Sequence, residues 1–387
     1  MQESQIEVSI VMPCLNEEEA LPHCLAKAFS FFKKNNINGE VIVADNGSSD
    51  KSACIASSHG AIVVKENTIG YGAAIMAGIK TANGKYVIIG DADDSYDFSE
   101  IMSFLVSLKE GSDLVIGNRF CGQMQKNVMP FLHRYVGNPF LSFLGRVFFR
   151  VPIKDFHCGL RAIKRESYQQ LDLKTTGMEF ASEMIVKAAL NKMRVTEVPV
   201  TLYPDKRTRK SHLKTWQDGW RHLRFLLMYS PVWLFFIPGC LLMVLGLIGT
   251  VLLAIGPIYI GSKKLDVHTL VYSAGFIIVG FQFISLYFFS RLYAAIHGLW
   301  PGQEKFLKRF NAAFRLESGL AIGLIVIVGG LGLMLKSFLY WRSTHFGNID
   351  PVIVLRWVIP SVVLMILGIQ VIISFFYLSF LTIKSKS

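Results

Sequence analysis

Two carboxylates one residue apart, Asp91 and Asp93, are the side chains of this sequence most suited to chemistry. They follow residues 86–89, a short apolar run that predicts a buried strand of a parallel sheet. Ligands of open α/β sheets bind just past the carboxyl ends of the strands, where both carboxylates would lie. Their oxygens suit a divalent cation such as Mg²⁺ or Mn²⁺, which often shares its coordination with substrate phosphates. Taken alone, the pair also fits a solvated acidic turn.

The elements that position these carboxylates are predicted to alternate between strands and helices. The predicted strands cover residues 9–12, 41–44, 61–64, 86–89 and 113–117. In this prediction Pro13 ends the first strand, a helix begins at residues 16–19, and another helix opens at Gly70. Residues 45–50 form a turn whose Asp and Ser side chains suit a helix cap. The alternation predicts a mostly parallel, doubly wound α/β sheet.

The second part of the chain is dominated by apolar runs without charged residues. These runs cover residues 225–262, 269–290, 318–335 and 357–383. Because a bilayer span needs roughly 20 apolar residues, the runs predict four transmembrane helices rather than buried helices of a soluble protein. We place them at about residues 231–255, 269–290, 318–338 and 356–383. The chain is thus predicted to consist of a soluble domain, residues 1–225, and a membrane domain, residues 231–387.

Charge and cysteine patterns predict where these domains lie. The polar N-terminus does not resemble a signal peptide, so we expect the soluble domain in the cytoplasm. Basic residues are more frequent in the loop of residues 291–317 and in the tail than in the other two loops, so the positive-inside rule predicts that both termini are cytoplasmic. The six cysteines have no CxxC spacing, which fits reduced thiols rather than disulfides or a zinc site.

Two aromatic and basic segments are predicted to be amphipathic helices in the membrane interface, at about residues 130–150 and 213–230. For the first, a core helix with basic ends is the alternative. The net charge is +12, and basic residues are concentrated between 206 and 224. Such a run fits anionic headgroups or a phosphorylated substrate. We do not expect nucleic acid as a partner, because nothing resembles a recognition module.

The motifs at the predicted strand ends form an ordered set. Pro13…Asn16-Glu17, Asp45…Asp50 and Asp91-Ala92-Asp93 follow the first, second and fourth strands. They resemble the P-x-x-N-E, D-D-G-S-x-D and D-x-D motifs of glycosyltransferase family 2, whose catalytic domain has the GT-A fold. Asn46 stands where the family has its second Asp, which leaves Asp45 to contact the base. The resemblance implies a nucleotide-sugar site at Pro13, Asn16, Glu17, Asp45, Gly70, Asp91, Ala92 and Asp93, with the metal ion on Asp91 and Asp93.

Later motifs resemble those of the dolichyl- and undecaprenyl-phosphate sugar synthases of this family. They are Gly117-Asn118-Arg119, Asp155…Gly159-Leu160-Arg161, Phe180…Glu183 and Arg207…Lys210-Ser211, the last without the Gly usual before the Ser. The resemblance implies catalytic roles for Asp155, Glu183, Arg119 and Arg161. It implies phosphate or lipid-phosphate contacts for Arg119, Arg161, Arg207, Lys210 and Ser211.

The implied reaction is an inverting transfer of a hexose from a nucleotide-sugar to a polyprenyl phosphate. The oxygen of that acceptor is already anionic near neutral pH, so a strong general base is dispensable. Asp155 or Glu183 would then orient the acceptor or the sugar. A general likeness of residues 207–224 to glucosyl-type proteins favours UDP-glucose over GDP-mannose. The expected partners are the nucleotide-sugar, the polyprenyl phosphate and the bilayer, and a homo-oligomer is left open.

Three other functions are alternatives to this one. A dinucleotide-binding oxidoreductase would suit Gly70-x-Gly72, but Ile75 stands where that motif needs a third small residue. A processive polysaccharide synthase shares the fold, but its Q-x-x-R-W motif is present here only as Gln217…Trp220-Arg221, with the last two residues reversed. In a non-catalytic membrane scaffold the first domain would only bind a nucleotide.

Overall fold

A computed structural model of the chain describes residues 6–125, 128–205, 215–300 and 303–383. The chain divides into two compact units, Met1–Tyr229 and Ser230–Ser387.

The first unit is built on a seven-stranded sheet. Its strands are β1 (Val8–Cys14), β2 (Gly39–Asp45), β3 (Ile62–Lys65), β4 (Tyr86–Ile89), β5 (Leu114–Asn118), β6 (Arg161–Lys164) and β7 (Val195–Pro199). Their order across the sheet is β3-β2-β1-β4-β6-β5-β7. All neighbours are parallel except β6, which runs antiparallel to both β4 and β5. The predicted, mostly parallel sheet is confirmed, whereas β6 and β7 were not predicted.

Helices cover the sheet and connect its strands. They are α1 (Leu21–Asn35), α2 (Ser52–Ser58), α3 (Tyr71–Thr81), α4 (Met102–Lys109), α5 (Asn138–Phe149), α6 (Arg165–Leu171), α7 (Phe180–Leu190) and α8 (Thr215–Met228). All four residues of β4 are buried, as expected for a central strand covered on both faces. The acidic residues Asp91 and Asp93 follow directly after this central strand.

Two predicted boundaries near the N-terminus are wrong. Pro13 lies inside β1, which continues to Cys14. β4 pairs with β1 only as far as Val11, so at Pro13 only β2 remains as a neighbour, and the missing N–H disrupts no second ladder. The helix predicted at residues 16–19 begins instead at Leu21, because Asn16 takes a left-handed backbone conformation with φ of 58°.

The aromatic segment of residues 130–150 has two different faces. A π-helical turn, His133–Gly137, leads into α5, and α5 packs against α8. Leu144 and Phe148 pack against the core of the sheet domain. The exposed apolar side chains of this region include Phe131, Tyr135, Val136, Phe140 and Phe143, with Trp216 and Trp220 on α8. We call these seven residues the apolar surface. The packed side fits a core helix, and the position of the exposed side in the membrane interface stays a prediction.

The second unit is helical. Its elements are α9 (Ile237–Ile255), β8 (Ile258–Ile260), β9 (Lys263–Leu265), α10 (Val267–Ile296), α11 (Glu304–Ala313), α12 (Leu316–Ser343) and α13 (Pro351–Thr382). Four helical segments are long and apolar enough to cross a membrane: Val232–Ile255, Val267–Ile296, Leu316–Ser343 and Pro351–Thr382. The prediction of four membrane-spanning helices is therefore confirmed by length and composition within the described residues.

Glycines bring the helices of this unit into close contact. A β-carbon at Gly280 of α10 would lie 2.7 Å from the backbone nitrogen of Met243 in α9. One at Gly323 of α12 would lie 2.7 Å from the carbonyl oxygen of Gly368 in α13. Small residues are typical of helix contacts in membranes, where van der Waals packing replaces the hydrophobic effect. The helices therefore pair through their backbones.

Candidate active site

The predicted site residues lie along one edge of the sheet. Asp45 is the last residue of β2, Asp91 and Asp93 follow β4, Arg161 begins β6, and Arg119 follows β5. β6 is antiparallel, so Arg161 pairs with Ile89 at the end of β4 and with Ile116 near the end of β5. Along this edge of the sheet, the residues follow one another in the spatial order of their strands, β2, β4, β6 and β5. The structure thus brings together residues that are far apart in the sequence.

Asp91 is held from two sides. Its Oδ1 accepts a hydrogen bond of 2.9 Å from the hydroxyl of Tyr71, at the start of α3. Burial, and then the charge of Asp91, raise the pKa of Tyr71 well above its ordinary value, so this hydroxyl stays protonated and donates. On the other side a β-carbon at Gly159 would lie 2.2 Å from Asp91 Oδ2. Only glycine at position 159 leaves room for this carboxylate.

Asp93 and Asp94 are buried and fixed by near neighbours. Asp93 Oδ1 accepts hydrogen bonds from the backbone N–H and the hydroxyl of Ser95, at 3.0 and 2.5 Å. Asp94 has a left-handed backbone, with φ of 62°, and accepts a hydrogen bond of 2.8 Å from Lys27. Partial burial alone would lower the pKa of Lys27, but the hydrogen bond and the charge of Asp94, together with the charge of Asp97, raise it overall. The side chain of Ala92 is part of the buried core, and its predicted contact with the nucleotide-sugar stays a prediction.

The acidic residues fit a divalent cation that completes its coordination with phosphate oxygens. Carboxylates are hard oxygen ligands, and Mg²⁺ in phosphate sites is often bound by one or two of them. Within the described residues, no group of three or more His, Cys, Asp or Glu side chains is arranged to hold a metal ion alone. Asp91 and Asp93 therefore fit a shared site, in which the donor's phosphates supply further ligands, better than a closed protein site.

The residue that departs from the family motif, Asn46, holds two strand ends together. Its side-chain amide donates to the carbonyl oxygens of Glu66, at 3.0 Å, and Thr68, at 2.8 Å. Its side-chain oxygen accepts a hydrogen bond of 2.8 Å from the backbone N–H of Gly70. A carboxylate could not donate the first two hydrogen bonds. Asn46 therefore fixes the loop before α3 beside Asp45, and the second acidic contact of the family motif is absent.

Asn16 and Glu17 form the turn after β1. The side-chain oxygen of Asn16 accepts a hydrogen bond of 2.7 Å from the backbone N–H of Ser49. The backbone N–H of Glu17 donates to the hydroxyl of Ser52 at 2.8 Å. Asp45 Oδ1 accepts a hydrogen bond of 3.2 Å from the backbone N–H of Ser48. The turns after β1 and β2 are thus joined, which places the predicted nucleotide contacts next to each other.

Gly70 and Gly72 allow a close approach between α3 and a loop of the second half of the sheet. Gly70 has φ of 149°, and a β-carbon there would lie 2.2 Å from the carbonyl oxygen of Thr176. At Gly72 it would lie 2.4 Å from the carbonyl oxygen of Thr175. Ala73 donates its backbone N–H to Thr176 at 3.2 Å. This close packing accounts for glycine at both positions, so no dinucleotide-binding motif is needed to explain them. The nucleotide-sugar contact predicted for Gly70 stays a prediction.

Glu183 is fully buried and holds the same loop in place. Its carboxylate accepts hydrogen bonds from the backbone N–H of Lys174 and from the N–H and hydroxyl of Thr175, the last at 2.6 Å. Lys187, one turn further along α7, forms an ion pair with it at 2.9 Å. With these partners Glu183 is suited to support the loop. Direct contact with acceptor or sugar, as predicted for it, is not favoured by this geometry.

Arg161 is also occupied by structural hydrogen bonds. Its guanidinium donates to the backbone carbonyl oxygens of Cys158, Phe156 and Ala181. Burial lowers its pKa from the ordinary value. The role of Arg161 as a phosphate clamp is not favoured, because the guanidinium would have to leave three buried carbonyl groups. These hydrogen bonds hold the loop that follows α5 against the start of α7.

Arg119 and Asp155 form a buried ion pair. Nε and Nη2 of Arg119 donate to the two carboxylate oxygens, at 2.7 and 2.8 Å. Burial lowers the pKa of Arg119, but the adjacent Asp155 carboxylate outweighs burial and holds the pKa well above its ordinary value. Glu197 accepts hydrogen bonds from the backbone N–H of Asp155 and from the side chain of Asn118. Asp155 is thus a positioning residue for Arg119, whose Nη1 has no hydrogen-bond partner within the described residues.

Two histidines beside this pair were not found by sequence reasoning. The rings of His157 and His222 lie edge to face with centroids 4.4 Å apart. His222 Nδ1 shares a hydrogen bond of 2.9 Å with the hydroxyl of Ser182. Burial, and then the charge of Arg161, lower the pKa of His222 to about 4. The position of His157 inside the Asp155–Arg161 motif could have marked it as a site residue, but nothing in the sequence indicates that His222 on α8 would contact it.

The predicted phosphate contacts Arg207, Lys210 and Ser211 lie outside the described residues.

A mixed α/β sheet with an acidic edge, followed by apolar helices able to span a membrane, defines a membrane-bound glycosyltransferase. The family model "Glycosyl transferase family 2" matches residues 9–172. The model "Glycosyltransferase family 2 C-terminal transmembrane region" matches residues 288–382. The chain belongs to glycosyltransferase family 2. The predicted GT-A-type fold is confirmed, and the protein is a multi-pass integral membrane protein.

Among its relatives is the low-salt glycan biosynthesis hexosyltransferase Agl6 of Haloferax volcanii. The two are 34% identical over 373 residues, which is 96% of this chain and 88% of the relative. The dolichyl-phosphate hexose transferase of the same organism is 29% identical over 195 residues, 50% of this chain and 82% of that protein. The predicted resemblance to polyprenyl-phosphate sugar synthases is confirmed by these matches.

A solved structure of glucosyl-3-phosphoglycerate synthase from Mycobacterium tuberculosis is also similar. It is 19% identical, covers 58% of this chain and 80% of its own, and has a TM-score of 0.47.

Proposed function

We propose that this protein transfers a hexose, with inversion at the anomeric carbon, from a nucleotide-sugar to a polyprenyl phosphate at the cytoplasmic face of the membrane. UDP-glucose is the favoured donor, with GDP-mannose as the other candidate. The similarity to a dolichyl-phosphate hexose transferase supports a lipid phosphate as acceptor. The order of Asp45, Asp91 and Asp93 along the sheet edge supports a nucleoside diphosphate-sugar as donor.

The observation that carries this proposal is that the two carboxylates predicted to act near the acceptor are buried and paired with basic side chains. Asp155 and Glu183 are both fully buried and bonded to Arg119 and to Lys187. Neither is placed to remove a proton from an incoming hydroxyl group. An acceptor hydroxyl needs a general base within hydrogen-bond reach, whereas a phosphate acceptor is anionic near pH 7. A phosphate is therefore the acceptor that this site suits better than a sugar hydroxyl.

The donor's diphosphate is the leaving group, and its developing charge needs positive partners. Asp91 and Asp93 would hold a Mg²⁺ or Mn²⁺ ion, which when bound supplies Lewis-acid stabilisation of that charge. Arg119, which Asp155 holds in one orientation, follows β5 beyond β4 and β6, and its guanidinium is therefore assigned to the acceptor phosphate rather than to the leaving diphosphate. An ionic group that needs no reorganisation in the transition state is the most effective kind of electrostatic catalyst. Tyr71 and Gly159 keep the Asp91 carboxylate in one position.

The apolar surface supports an acceptor that lies in a membrane. Its seven side chains are exposed on α5, α8 and the turn before α5. Contiguous exposed apolar patches mark interaction sites, and aromatic residues favour the depth of the lipid headgroups. The phosphate of a polyprenyl phosphate lies at that same depth. A sheet domain resting on this surface would therefore reach both a cytosolic donor and a membrane-bound acceptor.

A transfer assay with the purified full-length protein in detergent tests the proposal. Radiolabelled UDP-glucose, UDP-galactose, UDP-N-acetylglucosamine and GDP-mannose are offered separately with a polyprenyl phosphate, with Mg²⁺, Mn²⁺ or EDTA. We expect one donor to give a labelled lipid that EDTA and the Asp93→Ala variant abolish. If a protein that still binds a nucleotide gives no labelled lipid from any donor, the proposal is wrong. A scaffold or polymer synthase then becomes the better account.

A further inference from the structure

The two ring nitrogens of His157, a partly buried residue, are buried polar atoms that the proposed mechanism does not use. His157 lies in the loop between α5 and β6, and both ring nitrogens are shielded from solvent. Neither nitrogen has a hydrogen-bond partner within the described residues. A neutral imidazole carries one donor and one acceptor, and leaving such groups unsatisfied costs roughly 1–3 kcal/mol each. An orphaned buried polar group in a native structure therefore calls for a ligand or another explanation.

The neighbours of His157 favour an anionic ligand. The ring of His222 stands edge to face against it, and its Nδ1 is bonded to Ser182 rather than to His157. Burial is the main cause that lowers the pKa of His157 well below its ordinary value, and a second protonated imidazole at His222 and the guanidinium groups of Arg119 and Arg161 disfavour its charged form further. The ring is therefore neutral at neutral pH and keeps an N–H to donate. A neutral donor beside fixed guanidinium groups is a suitable place for a phosphate oxygen.

The strand order places His157 on one particular side of the donor site. The carboxylate of Asp91 occupies the space that a β-carbon would take at Gly159, two residues after His157. Asp45 lies on the opposite side of Asp91, at the end of β2, whereas β6 and β5 lie beyond β4. A nucleotide-sugar with its base at Asp45 and its diphosphate at Asp91 would direct its sugar toward β6 and β5. The acceptor must approach the sugar from there, because inversion requires attack from the side opposite the leaving diphosphate.

We infer that His157 donates a hydrogen bond to the phosphate of the acceptor lipid, with Arg119 as the positive partner of the same phosphate. This inference rests on the proposed function. The ligand class is a phosphate monoester in the headgroup layer. The leaving diphosphate of the donor carries the same chemistry and is the other source that the test must distinguish.

Steady-state kinetics of the full-length protein in detergent test the inference. The variants are His157→Ala and His157→Asn, with His23→Asn, an exposed residue of α1, as the matched control. Each substrate is varied while the other is saturating. We expect His157→Ala to lower kcat/KM for polyprenyl phosphate about tenfold or more, the effect of losing one buried hydrogen bond to a charged group. We expect the KM for the donor to stay within about twofold of the wild-type value, because the lost hydrogen bond is made to the acceptor and not to the donor.

The conservative variant separates a phosphate contact from a structural role. A carboxamide keeps one N–H donor in place of the imidazole, so His157→Asn regains part of the kcat/KM for the acceptor. The midpoint of thermal unfolding and the affinity for the nucleotide, measured for each variant, stay close to wild type. His23→Asn equals wild type in every measurement.

Three results would overturn the inference. One is a His157→Ala variant with unchanged kcat/KM for polyprenyl phosphate. Another is an effect confined to the donor KM, which would assign the imidazole to the leaving diphosphate. The third is a parallel loss of nucleotide affinity and thermal stability in both variants, which would make His157 structural. A wild-type protein that forms no labelled lipid refutes the proposed function itself, and the inference fails with it.

Discussion

The guanidinium of Arg119 and the carboxylate of Asp155 are joined by two parallel hydrogen bonds of 2.7 and 2.8 Å in the buried edge of the sheet. A third hydrogen bond, of 3.2 Å, joins the backbone N–H of Arg119 to the same carboxylate. Asp155 is fully buried and Arg119 is 9% exposed. The pair fixes the guanidinium of Arg119 at the end of β5, in the row of strand ends that also contains Asp91.

Replacing Asp155 with Asn tests this pair. The change leaves the buried guanidinium of Arg119 without its countercharge, and removing one partner of a buried ion pair costs roughly 3–5 kcal/mol of folding stability. We expect a lower midpoint of thermal unfolding and loss of transfer. Asp172→Asn is the control, because Asp172 and Lys174 form an exposed ion pair, and such pairs contribute roughly 0–1 kcal/mol. Equal midpoints for the two variants would contradict a stabilising role for the buried pair.

Asn46→Asp restores the acidic residue of the family motif and is nevertheless expected to be harmful. The new carboxylate would face the carbonyl oxygens of Glu66 and Thr68 without a hydrogen to donate. Leaving such groups unpaired costs roughly 1–3 kcal/mol. We expect weaker binding of the nucleotide and lower thermal stability, measured by calorimetry and thermal unfolding. Asn35→Asp, which removes one helix-end hydrogen bond, is the control. A gain in nucleotide affinity would show that Asn46 replaces a true ligand.

Gly159→Ala tests whether the position of the Asp91 carboxylate matters. The added β-carbon would lie 2.2 Å from Asp91 Oδ2, so one of the two groups must move. We expect the KM for the nucleotide-sugar, and the metal concentration needed for half-maximal rate, to rise about tenfold or more. Small displacements of a positioned group can cost a hundredfold in rate. Gly219→Ala in α8 is the control, since nothing lies within 4 Å of its β-carbon. Unchanged metal dependence in Gly159→Ala would remove Asp91 from the metal site.

The buried ring of His222 predicts how stability depends on pH. Its pKa is about 4 in the folded protein, against an ordinary value of 6.5. Between these values the unfolded chain binds a proton that the folded protein does not, so stability falls as the pH is lowered from about 6.5 to about 4. The full effect is on the order of 3 kcal/mol. We expect His222→Asn to weaken this dependence and His23→Asn to leave it unchanged. A pH profile of the unfolding midpoint that is identical in His222→Asn and wild type would contradict the assignment.

The sequence allowed the elements with strong patterns to be predicted. The apolar run before Asp91 and the charge-free runs after Arg224 gave the central strand and the four membrane-spanning helices, because burial and length leave few alternatives. β6 and β7 were missed. Arg161–Lys164 and Val195–Pro199 are short and partly charged, and their strand character arises only from pairing with distant parts of the chain.

The roles of charged site residues were harder to predict than their presence. The motifs located Arg161 and Glu183, but a sequence does not show which groups a side chain meets after folding. In the structure both are committed to backbone groups of neighbouring loops. His157 shows the reverse case, since its burial and its contact with His222 depend on α8, more than sixty residues later. Tertiary contacts of this kind are not encoded in local spacing.

The most direct test of the central claim, a phosphate as the attacking group, is a comparison of acceptors. The purified full-length protein receives labelled donor and Mg²⁺ with polyprenyl phosphate, with the matching polyprenol that lacks the phosphate, or with an oligosaccharide. The account predicts one labelled lipid, formed only with polyprenyl phosphate, of inverted anomeric configuration by NMR. Label transferred to polyprenol, or into a growing saccharide, would contradict it, since a hydroxyl group would then be the acceptor.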